Sequence, residues 1–126
     1  LIPRVGQLWV LEQNPGEGDL PASDAPHIIP QADVLAITAM TLMNGTFDEL
    51  IALKKQDALA ILIGPSTPLS LVLFNYGISI LSGAVVQDID NTIKAVMAGA
   101  NFRQLHQQGV KLVTMVKDGL NLTNIN

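Results

Sequence analysis

The chain has 126 residues, of which 48% are hydrophobic and 14% are charged, with a net charge of −4 and no cysteine. This length suits one domain with a core of its own, and the lack of cysteine excludes disulfides, thiol nucleophiles and thiolate metal sites. With 7 Lys plus Arg and 4% aromatic residues, a nucleic-acid surface is not expected. The apolar runs are too short to cross a bilayer, so we expect a cytoplasmic protein that binds neither nucleic acid nor membrane.

The first elements in chain order are a strand, a polar loop and a short helix. Residues 8–11 are the first strand candidate, and residues 12–19 form a loop whose Pro and Gly residues predict more than one turn. Residues 23–29 fit a short helix that ends before Pro30, because a residue that precedes proline avoids helical backbone angles.

The second strand, residues 34–38, leads into a loop and then a helix. Thr46 and Glu49 have the spacing of a capping box at the start of that helix. Thr41 and Asn44 are then expected in the loop, at the carboxyl edge of the sheet, where their polar groups could contact a ligand. Ordinary turn chemistry of the Asn-Gly pair is the alternative.

The third strand, residues 58–63, is continuously apolar, as expected of a parallel strand buried on both faces. Gly64 and the proline after it end the strand. Thr67 and Pro68 then suit the N-cap and first residue of a helix, and Gly77 suits its left-handed end.

The start of this predicted helix is a candidate anion site. Backbone amides and the positive end of the helix dipole would face the carboxyl edge of the sheet, where ligands bind in open α/β folds. The hydroxyls of Ser66 and Thr67 lie at this point. Capping of the helix without any ligand explains these two residues equally well.

The remaining chain predicts two strands and two helices. Residues 78–81 form a fourth strand, either Asp88 or Asp90 caps a helix that runs to Ala98, and residues 110–116 form the last strand. The first of these helices is predicted to end at Gly99 and to pack through Ile89, Ile93, Val96 and Met97. The second is predicted at residues 101–108 and carries Phe102 and Leu105.

Alternation of strands and helices at this spacing predicts an α/β fold. We expect a Rossmann-like three-layer sandwich with a mainly parallel sheet of about five strands. The domain is predicted to span residues 1–116, with residues 117–126 as a mobile tail. The dinucleotide fingerprint GxGxxG and the Walker glycine-lysine loop are both absent from the sequence.

No catalytic motif is recognisable, so the sequence leaves open whether the protein is an enzyme. His27 and His106 are not in a metal-binding spacing, and no serine lies in a GxSxG elbow. The carboxylates match no calcium loop. The methionines are expected to fill the core rather than bind a soft metal: Met40, Met43, Met97 and Met115.

An ordered set of short motifs resembles one family over nearly the whole chain. The motifs are Asn14-Pro15, Gly18-Asp19-Leu20-Pro21, Ala32-Asp33, Thr41-Leu42, Asn44-Gly45-Thr46, Gly64-Pro65-Ser66-Thr67-Pro68-Leu69-Ser70, Phe74, Tyr76-Gly77, Ser82-Gly83 and Phe102-Arg103-Gln104. They resemble the carboxyl-terminal, Rossmann-like domain of the putative heavy-metal chelation family, also called domain of unknown function 364.

The resemblance implies a second, amino-terminal domain similar to the enolase amino-terminal fold, with a ligand site in the cleft between the domains. It also implies a link to metal chelation or to tetrapyrrole metabolism. The candidate cleft residues that it implies are Asn14, Asp19, Thr41, Asn44, Thr46, Ser66 and Thr67.

This chain departs from the family pattern because the second domain and an upstream strand are missing. Ile2-Pro3-Arg4 would be the tail of that strand. The first strand of a doubly wound sheet is central, so its loss would leave a gap. We therefore expect a piece of a longer protein, with an apolar surface that the amino-terminal domain or a second copy covers.

Two classes of function follow from these expectations. In the first, the domain binds a small-molecule or metal ligand, with a divalent metal as the candidate cofactor, at the cleft described above. In the second, it is a non-catalytic scaffold whose polar loops only cap helices. Without cysteine or clustered histidine, soft-metal chelation by this domain alone is not expected, so oxygen ligands or a bound tetrapyrrole would be needed.

Overall fold

The computed structural model of the protein describes residues 6–120, which form a mixed α/β fold with six strands in two sheets. The predictions for Ile2-Pro3-Arg4 and for residues 121–126 of the tail lie outside this range. Within it, no helix is long and apolar enough to span a membrane. The elements are β1 (Leu11–Glu12), β2 (Leu20–Pro21), α1 (Ala25–Ile28), β3 (Val34–Thr38), α2 (Met40–Asn44), α3 (Phe47–Ala52), β4 (Leu59–Ile63), a 3-10 helix (Leu71–Tyr76), β5 (Ile80–Val86), α4 (Ile89–Met97), α5 (Phe102–Leu105) and β6 (Val110–Val116). Short 3-10 turns, Ala22–Asp24 and Ile29–Gln31, flank α1.

The main sheet has four strands in the order β3, β4, β5, β6, with β3 to β5 parallel and β6 antiparallel to β5. The predicted mainly parallel sheet is confirmed, but it has four strands rather than about five, because β1 pairs with β2 in a separate two-stranded parallel sheet. The bounds predicted for β3 and β6 are confirmed. β5 is longer than predicted, because β6 pairs with it along residues 80–86. The backbone hydrogen bonds of this pairing hold the part of β5 around Gly83 in a strand.

The helices that connect the parallel strands cover one face of the sheet. Each crossover, from β3 to β4 and from β4 to β5, joins neighbouring strands in the same direction across the sheet, so right-handed connections leave their helices on the same side. Each large apolar side chain buried there contributes roughly 1.5–3 kcal/mol. The buried core comprises Ile37, Ala39, Phe47, Ala60, Leu62, Leu73, Phe74, Ile78 and Leu81.

The opposite face of the four-stranded sheet is mostly apolar, with Thr38, Ser82 and Thr114 as its polar side chains, and apart from the buried Val110 it is not covered by the described residues. Strand residues alternate between the two faces, and the pairing register aligns Val34, Ile63 and Leu112 with the side that faces away from the core. These three side chains are 45%, 41% and 55% exposed. The helical layer predicted for this face, the third of the sandwich, is not formed within residues 6–120. The same face also carries Ala36, Leu59, Ile61, Ile80, Ala84 and Val116, none of which is buried.

Helix α4 begins and ends as predicted but does not pack as predicted. Asp88 is its cap, because the Asp88 carboxylate accepts a hydrogen bond from the Asn91 amide at 3.0 Å, and Gly99 follows its end with a φ of 79°. The predicted packing side is exposed instead, and Thr92 is the buried residue of the helix. The antiparallel pairing of β5 and β6 explains this exposure. A helix that joins two antiparallel neighbours does not have to cross a face of the sheet, so its apolar side is not packed there.

A compact joint holds the end of β5 against the start of β6. The Gly109 carbonyl oxygen accepts hydrogen bonds from the amides of Gln87 and Asp88 at 2.7 and 3.2 Å. The Thr92 hydroxyl lies within hydrogen-bond distance of the carbonyl oxygens of Asp88 and Gln108, at 2.6 and 3.1 Å. Gly109 has a φ of 107°, a conformation that favours glycine. This joint fixes α4 to the antiparallel pair.

Candidate functional site

The carboxyl end of β3 leads directly into a short helix. The Ala39 amide donates to the carbonyl oxygen of Ile63, at the end of β4, at 2.8 Å, which ties the two strand ends together. The Thr41 hydroxyl is buried and donates to the Thr38 carbonyl oxygen at 2.8 Å. Thr41 and Asn44 lie in helix α2, so the prediction that they lie in a loop is wrong.

Asn44 and Thr46 bond to each other at the turn between α2 and α3. The Asn44 side-chain oxygen accepts from both the Thr46 amide, at 3.2 Å, and the Thr46 hydroxyl, at 2.7 Å. Gly45 between them has a φ of 80°. The predicted capping box of Thr46 and Glu49 is wrong, because no side-chain cap bond is made and the Asn44 oxygen takes the threonine hydroxyl instead. The Asn44 side-chain oxygen and the Thr46 hydroxyl, which were predicted to contact a ligand, thus bond to each other within the turn.

The segment after β4, residues 64–70, is a loop rather than the start of a helix, and it opens with a turn in which the Thr67 amide donates to the Gly64 carbonyl oxygen at 3.0 Å. The helix predicted to begin at Pro68, with Thr67 as its cap, begins instead at Leu71 and is a 3-10 helix. Leu69 packs against the core cluster, which holds this part of the loop against the sheet before the 3-10 helix begins. Gly77 ends the 3-10 helix with a φ of 92°, as predicted. The helix N-terminus on which the predicted anion site at Ser66 and Thr67 depended is absent from this loop.

Thr67, within this loop, is buried at 5% exposure, and its hydroxyl has no hydrogen-bond partner among the described residues. Leaving such a group unpaired costs roughly 1–3 kcal/mol. The loop approaches β5 closely at Gly83, where a Cβ atom would lie 2.8 Å from the Thr67 carbonyl oxygen. Sequence reasoning missed this role of Gly83, although an isolated glycine in a strand signals a close approach of backbone.

Ser66 links the loop to helix α2. Its exposed hydroxyl lies 4.0 Å from the sulfur of Met40, the first residue of α2. Met40 is 51% exposed, Met43 75% and Met97 84%, so the prediction that the methionines fill the core is wrong for these three. Met115, by contrast, packs against the core.

Asn14 and Asp19 lie in the loop between β1 and β2. The Asp19 carboxylate accepts from the Gly16 amide at 3.0 Å and so closes that loop, while Asn14 is exposed. No hydrogen bond within residues 6–120 joins this loop to the strand ends that carry Thr41 and Ser66. The structure places Thr41, Ser66 and Thr67 just after the carboxyl ends of β3 and β4, Asn44 and Thr46 at the turn that follows α2, and Asn14 and Asp19 in the loop of the smaller sheet.

The donor set at this edge does not fit a hard divalent metal. Across the part of the chain that the structure describes, no group of three His, Cys, Asp or Glu residues could hold a metal ion. His27 and His106 are exposed and far apart in the chain. The donors at the edge are hydroxyls, one amide and the thioethers of α2.

A shallow groove of about 590 Å³ lies between α4 and α5, away from the strand-end edge. It is open to solvent, and its polar lining comprises Asn91, Lys94, Gln104, Gln107 and Gln108. Unlike the strand-end edge, it contains no buried polar group without a partner. We therefore place the candidate site at the carboxyl edge of β3 and β4, where Thr67 lies.

These features define a mixed α/β domain in which a short helix and a polar loop follow the carboxyl ends of two neighbouring parallel strands, the usual place of ligands in open sheets. The chain belongs to the DUF364 family, described as "Putative heavy-metal chelation", which it matches over residues 3–115.

Two solved structures of DUF364 proteins of unknown function are similar to the chain. One, from Desulfitobacterium hafniense, has 36% identity and a TM-score of 0.75 over 87% of this chain and 44% of its own. The other, from Pyrococcus horikoshii, has 19% identity and a TM-score of 0.75 over 86% of this chain and 46% of its own, and shows likeness of fold alone. The chain thus spans less than half the length of either. No curated protein matches it.

Proposed function

We propose that the chain is the Rossmann-like ligand-binding part of a longer protein, and that a small molecule or metal complex binds at the carboxyl edge of β3 and β4. The family description and the placement of the polar loops support this proposal. The observation that carries it is the buried Thr67 hydroxyl, since a native structure rarely leaves such a group without a partner. A polar atom of the ligand would supply that partner after a small shift of loop 64–70.

The test is Thr67→Val, which replaces the hydroxyl by a methyl group of similar shape. We expect the free protein to become more stable by about 1 kcal/mol or more, because the cost of the unpaired group disappears. We expect any ligand-induced rise in melting temperature to be lost. The measurement is a thermal-shift screen against divalent metals, phosphate-bearing nucleotides and tetrapyrrole precursors, in which a ligand at about 100 times its Kd adds about 2.7 kcal/mol.

Thr67→Ser is the matched control, because it keeps the hydroxyl and should keep the ligand response. Ser66→Ala tests the exposed hydroxyl of the same loop. A ligand that stabilises the wild type and the valine variant equally would contradict a site at Thr67.

The second candidate function is a scaffold without a ligand. It is favoured by Asn44 and Thr46, which bond to each other across one turn. If no compound shifts the melting temperature of a well-folded protein, and Thr67→Val is simply more stable, the scaffold function stands.

We further propose that the uncovered sheet face is the surface on which the rest of the longer protein packs. Most of its side chains are apolar on each of the four strands, and β3 is unpaired on its outer edge by the described residues. Relatives of more than twice the matched length have the additional chain for this purpose. Large exposed apolar patches mark such contact surfaces.

The corresponding prediction concerns the isolated chain. We expect it to bind the dye ANS and to associate without fixed stoichiometry, and Leu112→Lys to reduce both effects, because the lysine charge opposes burial of this face. Leu8→Lys is the control, since Leu8 is also exposed, at 65% against 55% for Leu112, but lies outside the four-stranded sheet. Light scattering that shows a discrete dimer, disrupted by Leu112→Lys, would assign the face to a second copy instead.

A further inference from the structure

Two exposed methionines lie side by side at the candidate site. Met40 and Met43 are three positions apart in α2, a spacing that places two side chains on neighbouring positions of one helix face, with Cβ atoms roughly 5–6 Å apart. The Met40 sulfur is directed toward loop 64–70, since it lies 4.0 Å from the Ser66 hydroxyl. Two flexible thioethers can therefore converge on one point beside that loop.

We propose that Met40 and Met43 form a binding site for a soft monovalent metal ion of the Cu(I) class. This inference rests on the proposed function and names the chemistry of its metal. Thioether sulfur is a soft donor, and soft donors select Cu(I) over magnesium, calcium or manganese, which prefer oxygen. The ion binds without any change of oxidation state.

The remaining donors near this point agree with a soft site. The chain has no cysteine, and the described residues contain no cluster of three carboxylates or histidines. A hard metal would thus have only hydroxyls and one amide here. The sequence-based expectation that soft-metal chelation needs cysteine or clustered histidine assumed buried methionines, and the exposure of Met40 and Met43 removes that assumption.

The competing explanation is that these side chains are simply part of a protein contact surface, as exposed methionines often are. Met97 provides the comparison within the same chain. It is 84% exposed and lies on α4, away from the strand ends. A surface thioether with no metal site should behave like Met97, so a difference between Met97 and the α2 pair is the decisive observation.

The experiment is a titration of the protein with Ag(I), an air-stable probe of the same charge and softness as Cu(I). The four methionine methyl groups, labelled with carbon-13, are followed by NMR and assigned with single Met→Leu variants. We expect the signals of Met40 and Met43 to shift together and saturate at one equivalent, while those of Met97 and Met115 stay in place. Met40→Leu and Met43→Leu should each weaken binding by roughly tenfold or more, since loss even of an outer-shell partner has that effect.

Met97→Leu is the matched control and should leave the affinity unchanged. Met-to-Leu changes conserve volume and cost less than about 1.5 kcal/mol, so the variants stay folded. Equal shifts of Met97 and Met40, or silver binding that leaves the signals of Met40 and Met43 in place, would overturn the proposal. That failure is separable from failure of the proposed function, because ligand binding that depends on Thr67 is measured without silver.

Discussion

Gly109→Ala is expected to lower the free energy of unfolding by roughly 2–5 kcal/mol, the sum of a strained left-handed backbone and a forced displacement of packed atoms. A Cβ atom at this position would lie 2.7 Å from the Asp88 Cβ, 2.8 Å from the Asp88 carbonyl oxygen and 3.0 Å from the Thr92 hydroxyl. The backbone φ of 107° adds strain for any other residue. Since small domains have only about 5–15 kcal/mol in total, this change removes much of the stability.

Thermal unfolding followed by circular dichroism measures the effect, and we expect the melting temperature to fall by at least about 6 °C. Gly99→Ala is the matched control, because its φ is 79° but nothing lies within 4 Å of the added carbon. That variant should lose only the backbone part, about 1–2 kcal/mol. Equal losses in the two variants would contradict the close packing of Gly109 against Asp88.

The sequence predicts the strands of this fold better than its helices. The apolar runs at β3, β4 and β6 identify strands directly, because a strand buried in a sheet needs little more than such a run. The length of β5 was not predictable from local pattern, since Gly83 and Ala84 are held by the pairing with β6. Likewise, α4 shows a helical apolar stripe, but the sequence cannot tell whether that stripe meets this chain or another protein.

The candidate site was predictable in position but not in detail. The carboxyl ends of β3 and β4 follow from the strand predictions, and the structure places Thr41 and Ser66 there. The role of Thr67 was predicted as a helix cap, yet its hydroxyl is buried without a partner among the described residues, because Leu69 and the close approach to Gly83 fix the loop against the sheet. The conformation of Thr67 is therefore set by packing of the loop over β5, and a local capping pattern in the sequence contains no information about that packing.

The loop 64–70 should therefore respond strongly to Gly83→Ala. The added Cβ would lie 2.8 Å from the Thr67 carbonyl oxygen, 3.2 Å from the Thr67 Cβ and 3.1 Å from the Leu69 Cδ2. Because one of these atoms belongs to the backbone, rotation of a side chain cannot relieve the contact, and the loop has to move. We expect a loss of about 1–3 kcal/mol in unfolding free energy.

The same change tests whether the loop position matters for ligand binding. A displaced loop moves Ser66 and Thr67 away from α2, so any ligand found in the thermal-shift screen should bind at least about tenfold more weakly, which is 1.4 kcal/mol. Gly6→Ala is the control, since nothing lies within 4 Å of the added carbon there, and it should leave both stability and affinity unchanged. If Gly83→Ala destabilises the protein but the affinity stays at the wild-type value, the ligand site lies elsewhere than under this loop. The close approach at Gly83 would then matter for packing alone. A change at Gly83 alters both the stability and the ligand affinity only if the loop that it displaces also contacts the ligand.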